Sequence, residues 1–425
     1  MPDYDHAAQR RFAVEVLAKL REAGYVAYWA GGCVRDELLG RTPKDYDVAT
    51  SARPEEIRNL FGHRRTLAIG EAFGVIAVIG PKEAGMVEAT TFRRDGNYAD
   101  GRRPDAVEFT DAEEDARRRD FTMNALFFDP IENRVIDYVG GVADIERRVV
   151  RAVGDARARF GEDKLRMLRA VRMASRFGFD IDPATSDALR AAAREITLVS
   201  PERIAQEMRA MLGKPGQAEA AKLLMRTGLM EAIVPEITPL AEPPGVNEWD
   251  FTLAVLGTLE RSGGDEPFSI SFALGLAAML NAAHDPSLAG RVALRWRLSN
   301  NERDDATWFV AHQDRLRDAA GRRWSDVQPI LADPRAAELL KLIEAEQRAA
   351  DRPLDDVEFC RAKLALPRRE LDPPPLATGK DLIDAGLKPG PLYSRLIAEL
   401  RAAQLDGETR TRDEAVALAI KLSNR

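Results

Sequence analysis

The sequence predicts an α/β head followed by a long all-helical part. Three observations carry this reading. Short apolar, β-branched runs alternate with helical stretches only up to about residue 150. Beyond Gly154 the apolar period is helical, and successive helices end near a glycine. A chain of 425 residues is also too long for one hydrophobic core, so roughly two to four domains are expected.

In chain order, residues 7–23 have helical periodicity and stop at Gly24. "YVAYWA" follows as a strand and runs into "GGCVRDELLG", where Gly31 and Gly32 open a helix. "KDYDVAT" reads as the next strand. In "SARPEEIRNLF", Ser51 is a candidate N-cap and Pro54 falls in the first turn. "FGVIAVIG" and "MVEATTF" read as strands joined by the Gly-Pro segment of residues 80–85. Further on, "DKLRMLRAVRMASRFG", "PERIAQEMRAMLG" and "QAEAAKLLMRTGLM" are helical in period, while "EPPGVNEW" and "DPPPLATG" read as breaks or linkers.

Composition excludes several classes. Cys33 and Cys360 lie far apart, so neither a disulfide framework nor a cysteine zinc site is expected. "MPDYDHAAQRRF" carries acids and no apolar core, unlike a signal peptide. "FSISFALGLAAML" is too short to span a bilayer and reads as a buried helix. The expectation is a soluble, cytoplasmic protein with no membrane association. A formal net charge of −7 argues against coating nucleic acid by bulk charge. A local basic groove is still available, because residues 151–176 hold eight Lys or Arg against three acids. Arg166, Arg169, Arg172 and Arg176 are spaced along one helix face. A solvated charged face is the ordinary alternative.

Four pieces can be argued as one site. Gly31 and Gly32 would let backbone N–H groups approach a phosphate where a strand turns into a helix, with Arg35 as a nearby cation. Neither Rossmann nor Walker spacing is present, and a tight structural turn would look the same. Asp45 and Asp47 share a strand face if "KDYDVAT" is extended, and two like charges side by side are costly unless a cation joins them. Mg²⁺ suits such a pair, held by one or two carboxylates plus substrate phosphates. Glu88, a charge inside a strand pattern, is the candidate third carboxylate, with a solvent-facing edge-strand Glu as the alternative. In "DARRRDFTMNAL", Arg119 would pair with a triphosphate and Asp120 with ribose hydroxyls, or the segment is simply the charged start of a helix. In "EDKLRMLRAVR", Asp163 and Arg166 at i and i+3 present acceptors and a donor fork. Together they match cytosine and adenine, each of which offers an amine and a ring acceptor. An intrahelical ion pair is the plainer reading.

"GGCVRDELLGRTPKDYDVAT", "RRDFTMNAL" and "EDKLRMLRAVR", in this order, resemble the class II tRNA nucleotidyltransferase and bacterial poly(A) polymerase family. The likeness covers about residues 25–211, including "SPERIAQEM", and is weaker beyond, although "PLATGKDLIDAGLKPGP" is similar to a C-terminal segment of the family. The resemblance implies an α/β nucleotidyltransferase head (1–150) followed by an all-α neck (151–215), body (216–345) and tail (346–425), the last two contacting tRNA. It implies metal binding by Asp45 and Asp47, and nucleotide contacts from Gly32, Arg35, Arg119, Asp163, Arg166, Arg169 and Arg172, with Asp163 and Arg166 reading the incoming base. The implied partners are tRNA, CTP and ATP, with Mg²⁺ as cofactor; no protein partner is expected. "TFRRDGNYADGRRPDAVEF" looks like the complete loop that accompanies whole CCA addition. Poly(A) addition, addition of the final A alone, and an inactive RNA-binding relative are the alternatives. Some relatives carry a metal-dependent phosphohydrolase domain after the neck. Here "LAAMLNAAHDPSLAG" offers His284 and Asp285 in a chain with four histidines, so a helix end and a loop are expected instead.

Overall fold

The computed structural model describes residues 5–96, 107–241, 248–261, 270–387, 390 and 393–423. They form two compact units, one of residues Met1–Met211 and Glu219–Pro235, the other of Leu212–Ala218 and Glu236–Arg425.

The first unit is built on a seven-stranded mixed sheet. Its strands are β1 (Ala27–Ala30), β2 (Asp47–Thr50), β3 (Thr66–Gly70), β4 (Val75–Ile79), β5 (Met86–Thr91), β8 (Phe127–Asp129) and β9 (Arg134–Ile136), ordered β3-β4-β5-β2-β1-β8-β9. A separate hairpin pairs β6 (Arg93–Asp95) with β7 (Val107–Phe109). Within this sheet, among the described residues, only the β2–β5 pair is parallel, and its register sets Asp47 opposite Glu88. Helix α1 (His6–Glu22) covers one face with Phe12, Ala13, Val16, Leu17 and Leu20. The expected turn at residues 80–85 does join β4 to β5, closed by the Gly80 N–H donating to the Gly85 carbonyl.

Two local expectations change. The extended ladder of "KDYDVAT" begins only at Asp47, so Asp45 sits just outside the strand and is exposed. Tyr46 between them is the anchor: its ring packs on Trp29 at 4.7 Å and its hydroxyl donates to Glu37. Ser51 does not cap α3 (Pro54–Phe61). Its hydroxyl accepts from the Val26 N–H, and the helix starts at Arg53, whose N–H donates to Glu56. Strands β8 and β9, three residues each, are too short to declare themselves in the sequence, and β3, a five-residue edge strand with Leu67 and Ile69 exposed, lacks a buried face to mark it.

After α2 (Gly32–Leu38), α4 (Ala112–Arg117) and α5 (Gly141–Glu146), the unit continues as helices α6 (Ala156–Glu162), α7 (Arg166–Phe177), α8 (Pro183–Ala192) and α9 (Pro201–Leu212). Gly178 ends α7 in the left-handed region at φ +66°. The chain does not run as one helix through "EDKLRMLRAVR": Asp163 caps α6 with extended backbone (φ −142°). Residues 219–235 join this unit because the helix Leu229–Ile233 packs on the 3-10 turn Ala193–Leu198.

Among its described residues the second unit contains helices and turns and no strand. "FSISFALGLAAML" yields the buried helix Phe272–Met279. His284, at φ +46°, approaches Asp314 at 3.3 Å, and Asp285 caps the helix Pro286–Arg295. Of the two linker readings, "DPPPLATG" is a non-helical connection tied down by Arg401, which donates to the Pro373 carbonyl and pairs with Asp372. Residues 242–247 of "EPPGVNEW" lie outside the described residues. A small separate core of Leu382, Leu400, Ala415 and Ala419 closes the C-terminal helices. Among the described residues no helix is long and apolar enough to cross a membrane.

Glu346 is a strained element of this unit. It is buried, the Arg317 guanidinium stands 3.7 Å away, and among the described residues no donor reaches full hydrogen-bonding distance of its carboxylate. Burial pushes its carboxyl up to about 7, with Asp314 adding to the rise and Arg317 opposing it. A raised carboxyl favours the fold at low pH, and that contribution is lost as pH rises from about 4.5 through 7. Glu346→Gln is therefore expected to stabilise the unit by about 1–2 kcal/mol at pH 8 and by nothing below pH ~4.5. Calorimetry at both pH values checks this, and an equal effect at both would contradict it.

Candidate active site

Gly31 is where the sequence leaves least freedom. It caps α2 at φ +74°, and a Cβ there would lie 2.8 Å from Arg119 Nη1. Glycine is thus required twice, by the backbone and by the arginine that crosses it. Arg119 also donates to the Asn124 carbonyl and pairs with Asp115 at 3.0 Å. These groups stand over a cluster of Ala30, Ala49, Phe92, Ala116 and Phe127.

Above that cluster opens a cleft of about 520 Å³, lined among the described residues by nine arginines and three aspartates. It brings together Gly31, Gly32, Arg35, Asp47, Arg119, Asp120, Asp163, Arg166, Arg169 and Arg172, as the sequence suggested. Asp45 and Glu88 do not line it; they flank Asp47 closely enough to act on its charge.

The arginines are held by acids the sequence reading passed over. Arg35 pairs with Asp36 at 2.7 Å and donates to Asn124 at 2.6 Å. Asp115 receives both Arg118 and Arg119, and Arg172 pairs with Glu207 at 2.6 Å. Arg166 pairs with Glu162 at 2.5 Å, a partner legible at i,i+4. Glu207 had no such signal, since it arrives from α9. Asp163 and Arg166 are not bonded to each other: Asp163 accepts from the Leu165 N–H and pairs with Arg203 at 2.7 Å.

Asp120, expected to meet a ribose, is occupied by donors of the protein itself. One oxygen accepts from the Phe121 N–H and the Asn124 amide, the other takes two donors of Arg169, so its four acceptor directions are filled. Burial alone would raise this carboxyl, but Arg169, Asn124 and Arg166 outweigh it and bring it down to about 2. Asp120 enters the site as the group that fixes Arg169.

The carboxylates of Asp45 and Asp47 behave oppositely. Among the described residues neither side chain has a hydrogen bond or ion pair. Burial, then Asp45 and Glu88, push the Asp47 carboxyl up to about 7, with Arg119 pulling it down. Glu88 is raised by burial and by Asp45. It stands on an interior strand of the sheet, not at an edge, and its side chain is exposed to solvent, so the solvent-facing part of the alternative reading holds. Unpartnered, mutually repelling hard-oxygen donors at the mouth of a cationic cleft fit a divalent cation. Among the described residues no group of three or more such side chains is gathered around one point, so water and a ligand's own oxygens would complete the shell. Cys33, behind β2, is no nucleophile: burial, reinforced by Asp47, pushes its thiol up to about 12.

A mixed sheet bearing an open carboxylate pair beside a glycine turn and an arginine-lined cleft defines a nucleotidyltransferase. The family described as "Poly A polymerase head domain" matches residues 27–151, and that described as "Probable RNA and SrmB- binding site of polymerase A" matches residues 178–240. The chain is 35% identical over 411 residues to the CCA-adding enzyme of Geobacillus thermodenitrificans, covering 95% of each. It superposes on the Bacillus stearothermophilus CCA-adding enzyme in complex with CTP with a TM-score of 0.75 at 31% identity, covering 98% of each chain. The Thermotoga maritima CCA-adding enzyme complexed with tRNA shares the fold, with a TM-score of 0.66 at 20% identity and coverage of 97% and 94%. The chain belongs to the CCA-adding enzyme family.

Proposed function

We propose that this chain completes the 3′ end of tRNA by adding C, C and A from CTP and ATP, releasing pyrophosphate at each step. The observation that carries the reading is Asp47, a carboxylate with no hydrogen bond or ion pair among the described residues, in a cleft whose other two aspartates, Asp120 and Asp163, hold arginines. Asp45 and Asp47 would hold Mg²⁺, with Glu88 beside them. When bound, this ion supplies charge stabilisation at the reacting phosphoryl group and at the departing pyrophosphate. The protein's own part is positioning. Gly31 leaves room for Arg119 to cross the backbone, and Gly32 presents its backbone at the cleft beside Arg35. Arg35, Arg119, Arg169 and Arg172, each fixed by a partner, present preorganised cations to the triphosphate. Asp163 and Arg166 face the same cleft as separate groups, one accepting and one donating, as an amine and a ring nitrogen on one base edge require. Residues 1–150 would serve as head, 151–215 as neck, and 216–345 and 346–425 as the body and tail that contact tRNA, in the cytoplasm.

The test uses a tRNA transcript lacking its last three nucleotides. Two additions are expected with CTP alone and three with CTP and ATP. A long adenosine ladder on unrelated RNA would make the chain a poly(A) polymerase. Extension only of a transcript already ending in CC would make it an enzyme of the final A.

A further inference from the structure

Phe177, at the end of α7, is buried, yet three guanidinium groups gather around its ring. Their carbons lie 4.6 Å (Arg35), 5.0 Å (Arg41) and 5.2 Å (Arg176) from its centroid. Arg35 is buried and neutralised by Asp36. Arg41 and Arg176 are exposed, and among the described residues neither has a carboxylate partner. This separates them from Arg119, Arg166, Arg169 and Arg172, each of which holds an acid. Stacking on an aromatic face restrains each side chain while leaving its donors directed outward. The Arg41 backbone is fixed as well, its N–H donating to the Asp36 carbonyl. The charges also act on one another: burial and the Arg176 charge hold Arg35 below its ordinary value against the pull of Asp36. Like charges crowded on one ring are relieved by an anion.

Placement decides which anion. Arg176 lines the cleft, whereas Arg41 lies outside it, four residues before Asp45 on the segment leading to the carboxylates. The two cations therefore run from the cleft wall to the surface beside the reacting groups. A nucleoside triphosphate is enclosed within the cleft. An RNA primer must place its terminal hydroxyl at Asp45 and Asp47 while its remaining phosphates pass out to solvent.

We infer that Arg41 and Arg176, set on Phe177, grip the phosphodiester backbone of the RNA just behind its 3′ end and so position the primer. The inference rests on the nucleotidyl-transfer reading above. The test measures binding of a tRNA transcript lacking CCA to the full chain by fluorescence anisotropy across a salt series, and KM for CTP alongside. In R41Q/R176Q, RNA affinity is expected to fall about ten-fold, and the slope of log K against log salt to shrink by roughly 0.7 per lost contact. In the single variant R41Q, whose side chain lies outside the cleft, KM for CTP is expected to move by less than about two-fold while RNA affinity falls, because a loss confined to the primer leaves triphosphate binding in place. R41K/R176K, which keeps both charges, should restore most of the affinity. Unchanged RNA affinity and salt slope would overturn the inference, as would a raised KM for CTP with RNA binding intact, which would give these arginines to the triphosphate. A wild-type chain that binds the transcript through them but transfers no nucleotide would uphold the inference and overturn the activity it rests on.

Discussion

Asp47→Asn is expected to fold, to bind tRNA as tightly as the wild type, and to transfer nucleotides about 10³-fold more slowly. The rate loss follows from removing one of two carboxylates that hold the cation, which forfeits several kcal/mol of transition-state stabilisation. The fold survives because, among the described residues, the Asp47 side chain makes no hydrogen bond, and its backbone contacts are kept by asparagine. Tyr46, on Trp29, anchors the segment independently. Asparagine also removes one of three mutually repelling charges, so the melting temperature without metal is expected not to fall and to rise by a few degrees. Activity and stability should thus part company, the pattern of a residue kept for chemistry at a cost to the fold. Asp45→Ala should lose both CMP and AMP transfer in the same way. Single-turnover assays, RNA binding and calorimetry on the same preparations test all three statements. Transfer within about ten-fold of wild type would remove Asp47 from the reaction. Loss of RNA binding together with activity would show that the substitution acts through the fold.

Much of this arrangement was legible in the sequence because it is local. A glycine pair at a strand-to-helix turn, two aspartates two residues apart and arginines at helical spacing are all patterns within about ten residues. The structure gathers ten of the twelve suggested side chains or backbone positions on one cleft. What stayed hidden depends on contacts across the fold. Asp115, Glu207 and Arg203 look like surface charges until the chain brings them to Arg119, Arg172 and Asp163. Asp120 was readable as a functional acid, but its saturation by Asn124 and Arg169 was not, since Arg169 lies 49 residues further on. The break after Asp163 was missed because an i,i+3 spacing fits a helix and a capped turn equally well. Short strands such as β8, three residues long and followed by a proline, earn their place through the pairing that β1 and β9 offer.

That break bears on the second large effect. Were Asp163 and Arg166 an ion pair on one helix, mutating either would mainly release the other. Instead each has its own holder: Arg203 for Asp163, and Glu162 with the Arg118 and Arg159 carbonyls for Arg166. Each therefore meets the cleft as an independently oriented group. Asp163→Asn turns a pure acceptor into a mixed donor and acceptor and spares the backbone turn. It is expected to cut the preference for CTP over UTP by about 10²-fold or more, because a site built to pair with an amine rejects its absence strongly only while its acceptor would go unsatisfied. Arg166→Ala should lower kcat/KM for both CTP and ATP. Its fold should be nearly intact, because Glu162 keeps Arg159 as a second partner at 2.5 Å. Arg203→Ala supplies the decisive comparison. If Arg203 orients Asp163, this variant, which alters no group placed against the base, should also relax base choice, and by less than Asp163→Asn. Competition between CTP and UTP on a transcript lacking its CCA reads all three. Unaltered C and A selection in both Asp163→Asn and Arg166→Ala would mean that the base is read elsewhere in the cleft.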